Sequence, residues 1–258
     1  MKIITVINAK GGCGKSTIAM SVAAGLARHG FRTLLIDMDP QAQVTQWLNA
    51  GDGLTNEGTL VYAFSGKSNL VDITQTTAIE NLWFVPSAEG LEELGRRITD
   101  VESYATILAR LLGELPVPGF DFVVIDSPNQ ISPIMENAIY PSDLFIVPFE
   151  STKAVKSYAN FYKLLISLRP NEDHQVFHVL SNLTRQPGLR NRVIELMDQE
   201  QIPRARTEVR SCGWLAQVDE HGGSIFEYRP RAKGSEDMAS LTDEVLSALG
   251  EHAAPAIT

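Results

Sequence analysis

The chain has few cysteines, only two, and few aromatic side chains, at 7% of its 258 residues. Cys13 and Cys212 stand far apart, so they suggest neither a disulfide framework nor a cysteine-based metal or cluster motif, and they are consistent with a reducing compartment. No stretch approaches the roughly 20 apolar residues of a membrane-spanning helix. Met1-Lys2-Ile3 passes straight into an apolar run, without the charged segment and cleavage site of a secretory leader, so a cytoplasmic location is expected. Basic charge is also short: 22 Lys and Arg against 31 Asp and Glu leave a formal charge of −9. That excludes a generally basic coat for nucleic acid, and any DNA contact needs a local patch. No repeat, low-complexity tract or long Pro/Gly/Ser linker divides the chain. Its length suits one domain over residues 1–250, with a disordered tail over 251–258.

What is present is a glycine-rich loop with a second lysine. Residues 8 to 17 read Asn8-Ala9-Lys10-Gly11-Gly12-Cys13-Gly14-Lys15-Ser16-Thr17. Backbone N–H groups over Gly11–Gly14 can converge on phosphate oxygens, Lys15 adds a point charge toward the β- and γ-phosphates, and the Ser16 hydroxyl can sit on Mg²⁺. The loop therefore predicts a nucleoside triphosphate with Mg²⁺. Ala9 stands where the ordinary pattern has its first glycine, so the fit is to the variant K-G-G-x-G-K-[ST]. Ile3–Ile7 before it reads as a buried strand. Ile18, Val22, Ala23 and Leu26 after it recur at helical spacing until Gly30, giving the strand, loop and helix the motif requires.

Two further apolar runs end in carboxylates. Thr33–Ile36 leads into Asp37-Met38-Asp39-Pro40-Gln41, and Phe122–Ile125 into Asp126-Ser127-Pro128. Acids at the carboxyl ends of parallel strands face the crevice where ligands bind in open α/β sheets. Asp39 is a candidate to orient an attacking water, and Asp126 has the place of an acid beside Mg²⁺ and the Ser16 hydroxyl. For Asp37 and Asp39 the alternative is that they turn the chain and cap a helix starting near Gln41. Leu82–Pro86, Leu144–Pro148 and Val176–Leu180 add strands, the last running on to Ser181-Asn182. Helices are expected over Val101–Leu115, Thr152–Leu168, Leu189–Glu200 and Ser235–Leu249. The alternation predicts a doubly wound α/β fold, a mainly parallel sheet with helices on both faces.

The loop Lys10–Thr17, the segment Leu35–Gln41 and Ile125–Pro128 together resemble the ParA/MinD family of deviant-Walker P-loop ATPases, in its ParA (Soj-like) partition branch. The resemblance runs from the first strand to about Leu249. It implies an ATPase with ATP and Mg²⁺ as cofactors and an ATP-sandwich homodimer in which Lys10 reaches the phosphates held by the other subunit. Lys15 and Ser16 would then act in cis, Asp39 would orient water, and Asp126 would hold the metal through water. Gly12 would be the tight contact across the dimer, with Asn182 touching the adenine. Two departures fall in switch segments: Ala42 replaces a usual glycine after Pro-Gln, and Ser127-Pro128-Asn129 replaces Thr-Pro-Pro.

Leu241–Thr258 carries Asp243, Glu244 and Glu251 and no lysine or arginine, which argues against a basic amphipathic membrane helix. By the resemblance, the locally basic late region is expected to bind nonspecific DNA through Arg204, Arg206, Arg210 and Arg231, which would make the ATP-bound protein nucleoid-associated. The alternative for these arginines is pairing with nearby acids. The expected function is to position or segregate a cargo, with hydrolysis stimulated by a ParB-like or adaptor protein. The competing reading is a metabolic or assembly ATPase that uses the same dimer without DNA.

Overall fold

Every apolar run read as a strand forms one. They are β1 (Lys2–Val6), β2 (Thr33–Asp37), β4 (Leu82–Val85), β5 (Phe122–Asp126), β6 (Leu144–Phe149) and β7 (Gln175–Leu180), joined by a short β3 (Gln75–Thr76) that no pattern announces. The computed structural model describes residues 1–48, 55–100, 102–116, 119–181 and 187–251. Among these residues the strands form a seven-stranded sheet in the order β3-β4-β2-β5-β1-β6-β7. All neighbours are parallel except β3, which runs antiparallel along the edge of β4.

Side chains alternate between two covered faces. Ile4, Val6, Leu35 and Val124 pack with Ile18, Val22 and Leu26 of the Lys15–Arg28 helix and with Met238, Leu241 and Val245 of the Lys233–Ala248 helix. Ile3, Leu34, Ile36, Val123 and Ile125 face the other way, onto Leu91, Leu108, Leu111 and Ile134. Phe145, Val147 and Phe149 pack with Phe161 and Leu165 of the Thr152–Leu168 helix. Strands buried on both faces read as continuous apolar runs, which is why they were visible in the sequence. Fully burying each such side chain is worth about 2 kcal/mol.

The helix expected over Val101–Leu115 is shorter. Val101 lies outside the described residues, and a 3₁₀ turn at Tyr104–Thr106 precedes a helix over Ile107–Gly113. Ser103 adopts a left-handed φ of 60°. The start is fixed from outside, by Asn137, whose side chain accepts from Leu108 N–H at 3.0 Å and donates to Tyr104 O at 2.9 Å. The other three helices lie within two residues of their expected ends, over Thr152–Leu168, Pro187–Gln199 and Lys233–Ala248. Most of the expected tail, residues 252–258, lies outside the described residues.

Candidate nucleotide site

The register of the sheet brings the acids together. Asp126 at the end of β5 is level with Val6 of β1 on one side and Asp37 of β2 on the other. The loop that follows β1 therefore opens directly over the carboxyl ends of β2 and β5. Gly12 and Gly14 have φ of +76° and +89°, which L side chains rarely adopt, and Gly14 is the residue from which the Lys15–Arg28 helix starts. Asn8 anchors the loop to β6, donating to Pro148 O at 2.9 Å and accepting from the Ser157 hydroxyl at 2.6 Å. Ser181, just past β7, donates to Cys13 O at 3.1 Å.

A cavity of about 540 Å³ lies over this loop. Gly11 through Thr17 and Asp39 line it, together with the apolar side chains of Val209, Leu215, Val218 and Met238 and with Cys212. The size and the combination of a phosphate cradle with an apolar wall suit a nucleotide. A larger groove of about 780 Å³ lies elsewhere, bordered by Arg28, His29, Glu80, Glu236 and Asp243. It holds none of the phosphate loop, so the chemistry belongs to the smaller cavity.

The three acids are not equivalent. Asp37 is fully buried and is pushed up to about 7, burial outweighing the hydroxyl and N–H of Thr45 that favour its charged form. Thr45 lies within the Gln43–Trp47 helix, so Asp37 caps this helix start. Asp39 has its Oδ1 on Gln41 N–H at 2.9 Å and lines the cavity. Asp126 is raised well above the carboxylate range, first by burial and then by Asp37, with the nearby Lys15 opposing. Neither of its oxygens has a hydrogen-bond partner.

A buried carboxylate with two free oxygens, facing a serine hydroxyl, fits a hydrated divalent cation. Ser16, Asp39 and Asp126 are the residues that would hold it. Among the described residues, no group of three or more His, Cys, Asp or Glu side chains is placed to hold a metal ion by itself. Burial also pushes the Cys13 thiol up, so it is a packed wall of the loop and not a reactive thiolate.

Lys10 stands apart from Lys15. Lys15 is 6% exposed, lies in the cavity wall and donates to Lys10 O at 3.4 Å. The Lys10 ammonium pairs with Glu150, just beyond β6, and donates to Gly11 O at 3.2 Å.

Asn182 lies outside the described residues. Of the arginines, Arg204 pairs with Asp198 at 2.6 Å, and Arg210 with Asp237 at 2.7 Å and Glu236 at 3.2 Å. Arg210 also borders the nucleotide cavity. Arg206 is 82% exposed at 3.6 Å from Glu244, and Arg231 is exposed. Sequence reasoning missed Glu150 and the apolar wall. That wall comes partly from the irregular stretch after residue 200, brought to the site by a bridge between Ser181 and Val209, and it has no periodicity to announce it.

Residues 1–176 match the family model AAA_31, described as an AAA domain. The chain is 28% identical over 250 residues to the sporulation initiation inhibitor protein Soj of Bacillus subtilis, covering 95% of this chain and 98% of that protein. Its fold is similar to McdA of Cyanothece in complex with ATP, with a TM-score of 0.82, 23% identity and coverage of 99% and 98%. It is also similar to cobyrinic acid a,c-diamide synthase of Mycobacterium smegmatis with a bound ATP analog and magnesium, with a TM-score of 0.79, 21% identity and full coverage of both chains at 100%. Among the described residues no helix is long and apolar enough to cross a membrane.

Proposed function

We propose a function from one premise: the chain belongs to the AAA_31 family of AAA domains and is a ParA/MinD P-loop ATPase. It binds ATP with Mg²⁺, forms an ATP-sandwich homodimer, and in that state binds nonspecific DNA. Slow hydrolysis to ADP and phosphate, stimulated by a ParB-like or adaptor protein, releases it, and the cycle positions or segregates a cargo. The observation that carries the reading is the second lysine, Lys10, beside a complete phosphate loop whose cavity also holds Asp39.

Each residue has a physical part. The loop N–H groups and Lys15 hold the triphosphate, and Ser16 and Asp126 hold Mg²⁺, which neutralises charge on the phosphates when bound. Asp39 orients water at the γ-phosphate. Lys10 supplies a cation to the nucleotide of a second copy, the role an arginine finger has elsewhere. Arg231 and the largely exposed Arg206 are the most accessible of the four to DNA phosphates, though Arg206 pairs with Glu244; Arg204 and Arg210 must likewise first give up carboxylates.

The second reading, an ATPase that dimerises without DNA, is favoured by those ion pairs and by the net charge of −9. One experiment separates the two. Asp39→Ala with ATP should form a stable dimer that binds DNA without sequence preference, and Gly12→Val should abolish both. A dimer with no DNA affinity at moderate salt would establish the second reading. If DNA binds, Arg206→Ala with Arg231→Ala should make the log–log salt dependence shallower, by about 0.9 for every phosphate these arginines had neutralised.

A further inference from the structure

Glu150 lies at the turn between β6 and the Thr152–Leu168 helix, 140 residues from Lys10 in sequence, and the two side chains form an ion pair. The pair is largely enclosed, with 28% of the Lys10 side chain and 13% of the Glu150 side chain exposed. The same carboxylate oxygen, Oε1, accepts the Ser151 hydroxyl at 2.9 Å, while Oε2 is buried and has no hydrogen-bond partner. A lysine needed by a second subunit is thus already held by its own.

We propose that Glu150 is a positioning residue, a latch that keeps Lys10 within its own subunit until the phosphates of a nucleotide on a second copy replace the carboxylate. The inference rests on the dimer reading above. Releasing Lys10 leaves a poorly solvated carboxylate whose second oxygen already lacks a partner, so release is unfavourable unless a stronger anion receives the ammonium. A triphosphate with its γ-phosphoryl group is such an anion; a diphosphate carries less charge. The latch therefore sets a threshold against dimerisation, and it belongs to the monomer whichever nucleotide is bound. Two latches open for each dimer formed, so their effect on the dimer constant is squared.

The test has two arms. In the first, an amine-reactive reagent labels the nucleotide-free full chain, and mass spectrometry reads the rate at Lys10. Glu150→Gln keeps the size and the Ser151 contact and should raise that rate severalfold, with other lysines unchanged. In the second, sedimentation measures dimerisation with a slowly hydrolysed ATP analogue and with ADP. A partly exposed pair is worth about threefold per subunit, so Glu150→Gln should tighten the dimer constant about ninefold with either nucleotide. Fluorescent-nucleotide affinity of the monomer should not move. In a Lys10→Ala background, Glu150→Gln should have no effect on dimerisation, which a purely structural role for Glu150 would not predict.

Unchanged Lys10 labelling overturns the latch, whatever the dimer does. A weaker dimer in Glu150→Gln overturns it too, because Glu150 would then be helping the dimer form. Faster labelling with no nucleotide-dependent dimer in either protein overturns the dimer reading, and the release step with it.

Discussion

Thr45 gives both its backbone N–H and its hydroxyl to one oxygen of Asp37, at 2.9 and 2.8 Å. The same hydroxyl oxygen accepts Ser87 N–H at 2.9 Å, and the other oxygen of Asp37 accepts Asp39 N–H at 3.1 Å. Asp37 and Thr45 together clamp the segment that carries Asp39. Ala42, inside that segment, has a left-handed φ of 52°, a strained position for a residue with a side chain, so the clamp has strain to hold against.

Thr45→Val keeps the shape and removes the hydroxyl. It leaves one oxygen of a buried acid with a single donor and Ser87 N–H without its acceptor, which should destabilise the protein by about 2 kcal/mol. ATP turnover should fall further than nucleotide affinity, because the phosphate loop is untouched while Asp37, which holds Asp39 N–H, loses one of its own donors. Urea unfolding and a turnover assay check this. Unchanged stability with unchanged turnover would show that the clamp is idle.

Asp126 offers a different sign. Its oxygens are buried, without hydrogen-bond partners, and next to Asp37. Asp126→Asn removes the chance of a buried charge there, so the nucleotide-free protein should melt at or above the wild-type temperature. The gain in stability that ATP confers with Mg²⁺ should shrink, by about 1.4 kcal/mol for each tenfold loss of affinity. Chelating Mg²⁺ should bring wild type and variant together. A variant that melts lower without nucleotide and keeps the full Mg²⁺-dependent gain would remove Asp126 from the metal site.

The sequence carried the parts of this site that are contiguous and missed those the fold assembles. Gly11–Thr17 is one uninterrupted stretch, and Asp39 and Asp126 end or follow apolar runs, so strand, loop and acid could be read together. Glu150 follows an apolar run as well, but its meaning lies in a pair with Lys10 that only the β1–β6 pairing creates. Asp37 illustrates a choice local pattern leaves open. Capping and catalysis both suit an acid at a strand end, and the two donors from Thr45 settle it as a cap. The arginines show the converse: they stand in a locally basic stretch of sequence, yet Arg204, Arg206 and Arg210 each have a carboxylate of their own.

His178 gives the fold a dependence on acid that is separate from the nucleotide site. It is 3% exposed, stacked 5.7 Å from the Phe149 ring and edge-on to Tyr158 at 4.7 Å. Its Nδ1 is 2.8 Å from Pro203 O, and its Nε2 is buried with no partner. Burial pushes it down to about 4 from an ordinary 6.5, while the facing Tyr158 is pushed up to about 12 and stays neutral. The unfolded chain therefore takes up a proton before the folded one does. The stability held above pH 6.5 should fall as pH drops from 6.5 toward 4 and level off below, by about 3 kcal/mol in all. Carboxylates titrate in the same range, so the measurement is a comparison. His178→Phe should lose stability at pH 7, because Pro203 O is left without its donor, yet lose less than wild type between pH 6.5 and 4.5 in urea unfolding. Parallel pH profiles for the two proteins would mean that His178 is protonated in the fold without penalty.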